Sequence, residues 1–109
     1  MSAPTVDPPV ASFEAAGGKS VHTISNPGGD RFAIKIKTSD NALYKVTPVF
    51  QFVEPGASAT IEISRSAGGA KTDKLVVQYA PVAADLATPQ EAFPAGGAFP
   101  ELPVDLVAQ

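Results

Sequence analysis

At 109 residues the chain has the length of one small domain, with 44% apolar residues to fill a core and no cysteine to staple it. The missing thiols exclude disulfides, thiolate nucleophiles and cysteine-ligated metal, and they fit a reducing compartment. A net charge of −3 argues against nucleic acid as a general partner, because phosphate binding needs clustered lysine and arginine.

No run approaches the roughly 18 to 20 unbroken apolar residues of a membrane span, so no membrane insertion is expected. The opening Met1-Ser2-Ala3-Pro4 lacks the basic and apolar regions of a secretory signal. One cytoplasmic domain over residues 1–109 is the expectation. Its charge is unevenly spread: Arg31 to Lys74 holds seven bases against four acids, and the remainder holds Lys19 against seven acids. The middle is positive and both ends are negative.

Eleven prolines and nine glycines break the chain into short runs of period two, the pattern of an all-β sandwich or barrel. In chain order, Lys19 to Ser25 reads as a strand that pairs antiparallel with the next through the turn Asn26-Pro27-Gly28-Gly29. That next strand, Arg31 to Lys37, is the cleanest. Phe32, Ile34 and Ile36 face one way, and Arg31, Ala33, Lys35 and Lys37 face solvent. A one-residue slip would bury two lysines, so its register is strongly specified. Asp40-Asn41 makes the following corner.

Tyr44 to Val53 is β-prone but holds Pro48, which cannot donate to a ladder and belongs at an edge or a sheet-switching point. Glu54-Pro55-Gly56 is a turn, and Ala59, Ile61 and Ile63 then alternate with polar residues in another half-buried strand. Leu75, Val77 and Tyr79 alternate with Lys74, Val76 and Gln78 in a strand that ends at Pro81. Thr88-Pro89-Gln90-Glu91 has the signals of a helix start, good for a turn or two before Pro94 and Gly96-Gly97. Leu102, Val104, Leu106 and Ala108 form a last strand. About seven strands with regular turns predict an immunoglobulin-like β-sandwich.

Chemistry is sparse. His22 is the sole histidine and shares a strand face with Ile24, which predicts a hydrogen-bonded structural role rather than a catalytic base. One histidine and scattered acids supply no metal site, and no phosphate-binding glycine motif is present. The paired glycines are explained by turns. The chain is expected to be no enzyme, with no catalytic residue and no cofactor. What remains is an outer face. Lysines 35 and 37 with Arg31 on one strand, and Lys74, Val76 and Gln78 on another, form a basic, partly apolar platform if those strands are neighbours.

Five segments in order then show a family resemblance: Asn26-Pro27, Phe32 through Ser39, Tyr44-Lys45-Val46-Thr47-Pro48, Val53-Glu54-Pro55-Gly56 and Lys74 through Gln78. Together they resemble the major sperm protein domain over most of residues 6–81, and most of all the small sperm-specific class P members of nematodes. The resemblance implies a seven-stranded immunoglobulin-like sandwich, a sperm-cell cytoplasmic setting and protein partners. Those partners would be other family domains, the chain itself (a homodimer among the arrangements) or acidic peptides. It maps a peptide groove onto Lys35, Lys37, Thr38 and Ser39 of one strand and Lys74 and Val76 of the other. It implies either a self-associating component of the sperm cytoskeleton or an adaptor for acidic, aromatic-containing peptides. Exposed ion pairs contribute roughly 0.2–1 kcal/mol each, so peptide binding on that groove is expected to be weak and salt-sensitive.

Overall fold

A computed structural model of the chain describes residues 4–93 and 97–109. Met1, Ser2, Ala3, the expected stop at Pro94 and the glycine Gly96 lie outside the described residues. The strands are β1 (Thr5–Asp7), β2 (Val10–Phe13), β3 (Gly18–Ser25), β4 (Arg31–Thr38), β5 (Tyr44–Thr47), β6 (Phe50–Val53), β7 (Ser58–Arg65), β8 (Thr72–Val82) and β9 (Glu101–Ala108). They form a four-stranded sheet, β1-β3-β7-β5, facing a five-stranded sheet, β2-β9-β8-β4-β6. All pairings are antiparallel except β2 with β9. This is the expected immunoglobulin-like sandwich.

Nine strand segments arise from seven continuous runs because two runs change sheets at a proline. Pro8-Pro9 separates β1 from β2, and Pro48 with Val49 separates β5 from β6, each switch containing one cis peptide bond, Asp7–Pro8 and Thr47–Pro48. Proline removes a ladder donor at the point where the chain must leave one ladder for the other. Pro48 thus takes the sheet-switching place expected of it.

Alternation sets the core. Ile34 and Ile36 of β4, Ile61 and Ile63 of β7, Leu75 and Val77 of β8 and Val104 and Leu106 of β9 are all buried between the sheets. Each such side chain contributes about 1.5–3 kcal/mol of burial. Phe13 and Tyr44 meet edge-to-face across the sandwich at 5.4 Å between ring centroids. Glu54-Pro55-Gly56-Ala57 is a proline-then-glycine turn in which Gly56 has φ of +71° and the Ala57 amide donates to the Glu54 carbonyl at 3.0 Å.

Three expectations are corrected. Strand β3 does not pair with β4: it lies between β1 and β7, and the two strands belong to opposite sheets. The link between them is an arch, not a hairpin, and Asn26 is its centre. Buried to 1% exposure, Asn26 donates from Nδ2 to the carbonyls of Asp30 (2.6 Å), Val53 (3.2 Å) and Glu54 (3.3 Å). Its own backbone amide and carbonyl are bonded to Ala57 and Gly56. These bonds tie the arch to the β6–β7 turn, whereas a hairpin would have closed on itself.

Pro81 does not end β8, which continues to Val82. The Tyr79 amide donates towards the β9 side, to Pro100, so the nitrogen of Pro81 two residues on points the same way. The β9 ladder stops at Gln78 opposite Glu101, so no donor is needed there. Finally, Ala33, expected in solvent, is fully buried on the outer face of β4. The chain after β8 crosses that face. Its helical signal becomes a single 3₁₀ turn, Pro89–Ala92, preceded by Thr88.

Candidate partner-binding surface

The register of β4 against β8 decides how the predicted groove residues stand. Lys35 is opposite Gln78 and Lys37 is opposite Val76, so the two strands are neighbours and these side chains share the outer face of the five-stranded sheet. Across β8 the rows continue into β9, Gln78 opposite Glu101, Val76 opposite Pro103, and Lys74 opposite Asp105. The result is a strip carrying Lys35, Lys37 and Lys74 with half-buried Val76 between them. Gln78 is held flat by a 3.0 Å bond from its Nε2 to Glu101.

Thr38 and Ser39 stand elsewhere. By strand parity Thr38 points with Ile36 towards the sandwich interior, and its hydroxyl donates to Asn41 Oδ1 at 2.7 Å. Together with Ile36, Tyr44, Val46 and Val49 it lines a cleft of about 140 Å³ where β5 and β6 part company. Ser39 closes the end of the β4–β8 ladder. Its hydroxyl accepts from the Lys74 amide at 3.0 Å and donates to Asp73 at 3.1 Å. Of six groove residues, the outer face therefore gathers Lys35, Lys37, Lys74 and Val76.

Two arginines behave unlike the lysines, and sequence reasoning missed what each does. Arg31, expected on the basic platform, is engaged at the edge of it. Its Nε donates to Glu54 at 2.9 Å, its Nη1 donates to the carbonyls of Ala83 (3.1 Å), Ala84 (3.3 Å) and Leu86 (3.0 Å), and its guanidinium lies 3.6 Å from the Phe52 ring centroid. Arg65 ends β7 at 4% exposure, where it donates to the Tyr44 hydroxyl (3.1 Å), the Gly69 carbonyl (2.6 Å) and the Ala15 carbonyl. Carbonyls are acceptors carried by every residue, so no side-chain signal in the sequence announces such a site.

The same face carries aromatic cover. Phe50 projects beside Lys35, whose Nζ is 5.7 Å from the ring centroid. Phe93, 7% exposed, lies 6.3 Å from Phe50 and 4.9 Å from Phe99. Half of the platform is thereby roofed and half, around Lys37, Lys74 and Val76, is open.

His22 is hydrogen-bonded and fully buried. Nδ1 donates to the Pro8 carbonyl at 2.7 Å and Nε2 is hydrogen-bonded to the Ser20 hydroxyl at 2.8 Å. It pins the β1–β2 switch to β3. Elsewhere Lys71 bridges Asp40 and Asp73. The hydrogen bond from Lys71, with backbone amides of Leu43 and Ala42, lowers the Asp40 carboxyl below its ordinary value; the same two carboxylates raise Lys71.

Comparison with known proteins agrees with this architecture. Residues 4–97 match the profile of the MSP (Major sperm protein) domain. The chain belongs to the major sperm protein domain family. Among its relatives in Caenorhabditis elegans, sperm-specific class P protein 16 is 48% identical over 91 residues, 84% of each chain. Sperm-specific class P protein 31 is 45% identical over 103 residues, covering 94% of this chain and 96% of that one. The solved structure of WR4, a C. elegans MSP family member, superposes with a TM-score of 0.93 at 39% identity over the whole of both chains. The E. coli chaperone DraB, at 13% identity and a TM-score of 0.72 over 54% of its own length, shares the fold alone. The strip of lysines described above is thus a surface of an MSP domain, and β9, beyond the matched residues, completes its five-stranded sheet.

Proposed function

We propose that this MSP domain is a non-enzymatic structural protein of the sperm cell, self-associating within its cytoskeleton. The observation that carries the reading is a pair of unlike, open edges on one sheet. Strand β2 borders the five-stranded sheet on one side and β6 on the other. Val10 begins the first and Val49 leads into the second, each 43% exposed. An edge strand offers unpaired amides and carbonyls to another chain. Two different edges that fit one another make a head-to-tail contact, which builds an open filament rather than a closed dimer. Pro9 and Pro48 limit each edge to about four residues, so each contact is small and association is weak and concentration-dependent.

Sedimentation of mixed variants tests this directly. Val10→Lys blocks one edge and Val49→Lys the other, so each alone stays monomeric while an equimolar mixture stops at dimers. A native chain that remains monomeric up to millimolar protein overturns the reading.

A second reading is favoured by the register itself, which sets Lys35, Lys37 and Lys74 around Val76 on one face. On this reading the domain is an adaptor that holds an acidic, phenylalanine-bearing peptide there, the lysines attracting its carboxylates and Val76 flooring its apolar contact. Lys37→Glu combined with Lys74→Glu would abolish such binding and leave the fold intact. Unchanged affinity in that double variant removes the site.

A further inference from the structure

The segment that follows β8 has the chemistry of the peptide that the adaptor reading calls for. Residues 83–93 carry Asp85, Glu91 and Phe93 and no base. This segment packs against β4 and β6 on the outer face of the five-stranded sheet. It is attached at two points. At one end Arg31 Nη1 gathers the carbonyls of Ala83, Ala84 and Leu86. At the other, Phe93 is buried against Phe50 and Phe99. Between them the 3₁₀ turn Pro89–Ala92 has no buried residue and Thr88 makes no side-chain cap. Asp85 and Glu91 are exposed and make no ion pair among the described residues. A strand built into the core is held by a ladder along its whole length. Among the described residues, this segment has its Arg31 hydrogen bonds and its buried side chain at its two ends, and between them the turn rests on β4 and β6.

We infer that residues 83–93 are a displaceable cover, an internal acidic and aromatic peptide that occupies the Lys35–Phe50 half of the outer face and competes there with an external one. The inference rests on the adaptor reading, and it adds the seat and the gate. The seat is the outer surface formed by Phe50, Lys35 and Ala33. It takes a phenylalanine ring, because a ring sits on Phe50 now and a cation stands beside it. The gate is the covalent link, which presents Phe93 at an effective concentration that a free peptide must exceed. The open half, around Lys37, Lys74 and Val76, attracts the acidic part of an incoming peptide before its ring displaces Phe93. A cover closed nine-tenths of the time weakens binding about tenfold.

The test is an amide-resolved NMR titration of the full labelled chain with a synthetic peptide copying residues 84–93. The native chain and Phe93→Ser are compared. Phe93→Ser frees the ring seat and leaves β4 and β6 untouched. The expected result is binding at least about tenfold tighter to Phe93→Ser than to the native chain, with shifts at residues 33–37 and 50–52. A peptide carrying serine in place of its phenylalanine should not bind. Equal affinity for native and variant chains overturns the gate and leaves the adaptor reading standing. Binding to neither, when the amides of residues 83–92 in Phe93→Ser show release, overturns both. Should Phe93→Ser fail to fold, Arg31→Gln releases the other end of the segment and is read in the same way.

Discussion

Arg65 and Arg31 use the same chemistry at two places in the sandwich and reach opposite ends with it. Both lay a guanidinium fork across loop carbonyls and both lie close to an aromatic ring, Tyr44 for Arg65 and Phe52 for Arg31. Arg65 is sealed. It has no carboxylate partner among the described residues, and its charge is answered by the Ala15 and Gly69 carbonyls and the Tyr44 hydroxyl. Those bonds join the β2–β3 link to the β7–β8 link. Arg31 shares its charge with the exposed carboxylate of Glu54, and the carbonyls it holds belong to the segment over the outer face. A guanidinium in a closed site has no water to turn to when a bond breaks, whereas one at the surface exchanges a lost carbonyl for solvent at little cost. The first arrangement makes architecture; the second makes a latch.

Substitution of each arginine should separate the two roles. Arg65→Met keeps the volume and leaves the loop carbonyls unpaired inside the protein, which costs about 2–4 kcal/mol. For a domain of this size that lowers the melting temperature by about 10 °C or more. Arg65→Lys should recover only part, because an ammonium lacks the planar fork that spans two loops. Arg31→Gln is expected to cost about 1 kcal/mol or less in urea unfolding, since its partners regain water. Its larger signature is local: faster amide exchange at Leu86 and Phe93 with β4 and β8 unchanged. Equal global losses in the two variants would erase the distinction between them.

How much of this was legible beforehand follows from the physics of each signal. Strand parity is carried by side chains, so the inward residues of β4, β7, β8 and β9 and the sheet switch at Pro48 were readable residue by residue. Parity also separates Thr38 from Lys35 and Lys37, which the family resemblance had grouped together. Pairing partners were harder. The β3 and β4 patterns suit a hairpin as well as an arch, and what decides is Asn26, whose three carbonyl acceptors lie in Asp30, Val53 and Glu54. Acceptors on the backbone leave no trace in composition. The same blindness hid both arginine sites and, with Arg31, the covering of Ala33. The segment between β8 and β9 carries the helix-start signal Thr88-Pro89-Gln90-Glu91, and nothing in that signal announces that Phe93, the one buried side chain among residues 83–93, fixes where the segment lies.

The smallest expected effect belongs to the ion pairs beside the Arg65 end. Lys71 opens β8's approach and reaches both Asp40 in the β4–β5 turn and Asp73. The Asp40 carboxyl is held below its ordinary value of 3.8, first by the Lys71 hydrogen bond and then by the Leu43 amide. Its contribution to stability is therefore complete above that ordinary value and is lost as pH falls through the lower, folded one. Lys71 is raised above 10.5, first by Asp40 and then by Asp73, so its contribution is complete below 10.5 and is lost as pH rises through the raised value. Between these limits the staple is flat in pH. Both groups lie at the surface, so salt screens the pair. Asp40→Asn should thus narrow the acid loss of stability relative to the native chain and change the neutral plateau little, with the difference shrinking in high salt. Arg65→Met removes hydrogen bonds to uncharged loop carbonyls and should lower the whole profile without changing its acid slope. If Asp40→Asn lowers the neutral plateau as far as Arg65→Met does, the turn at Asp40 is as much a part of the architecture as the buried guanidinium.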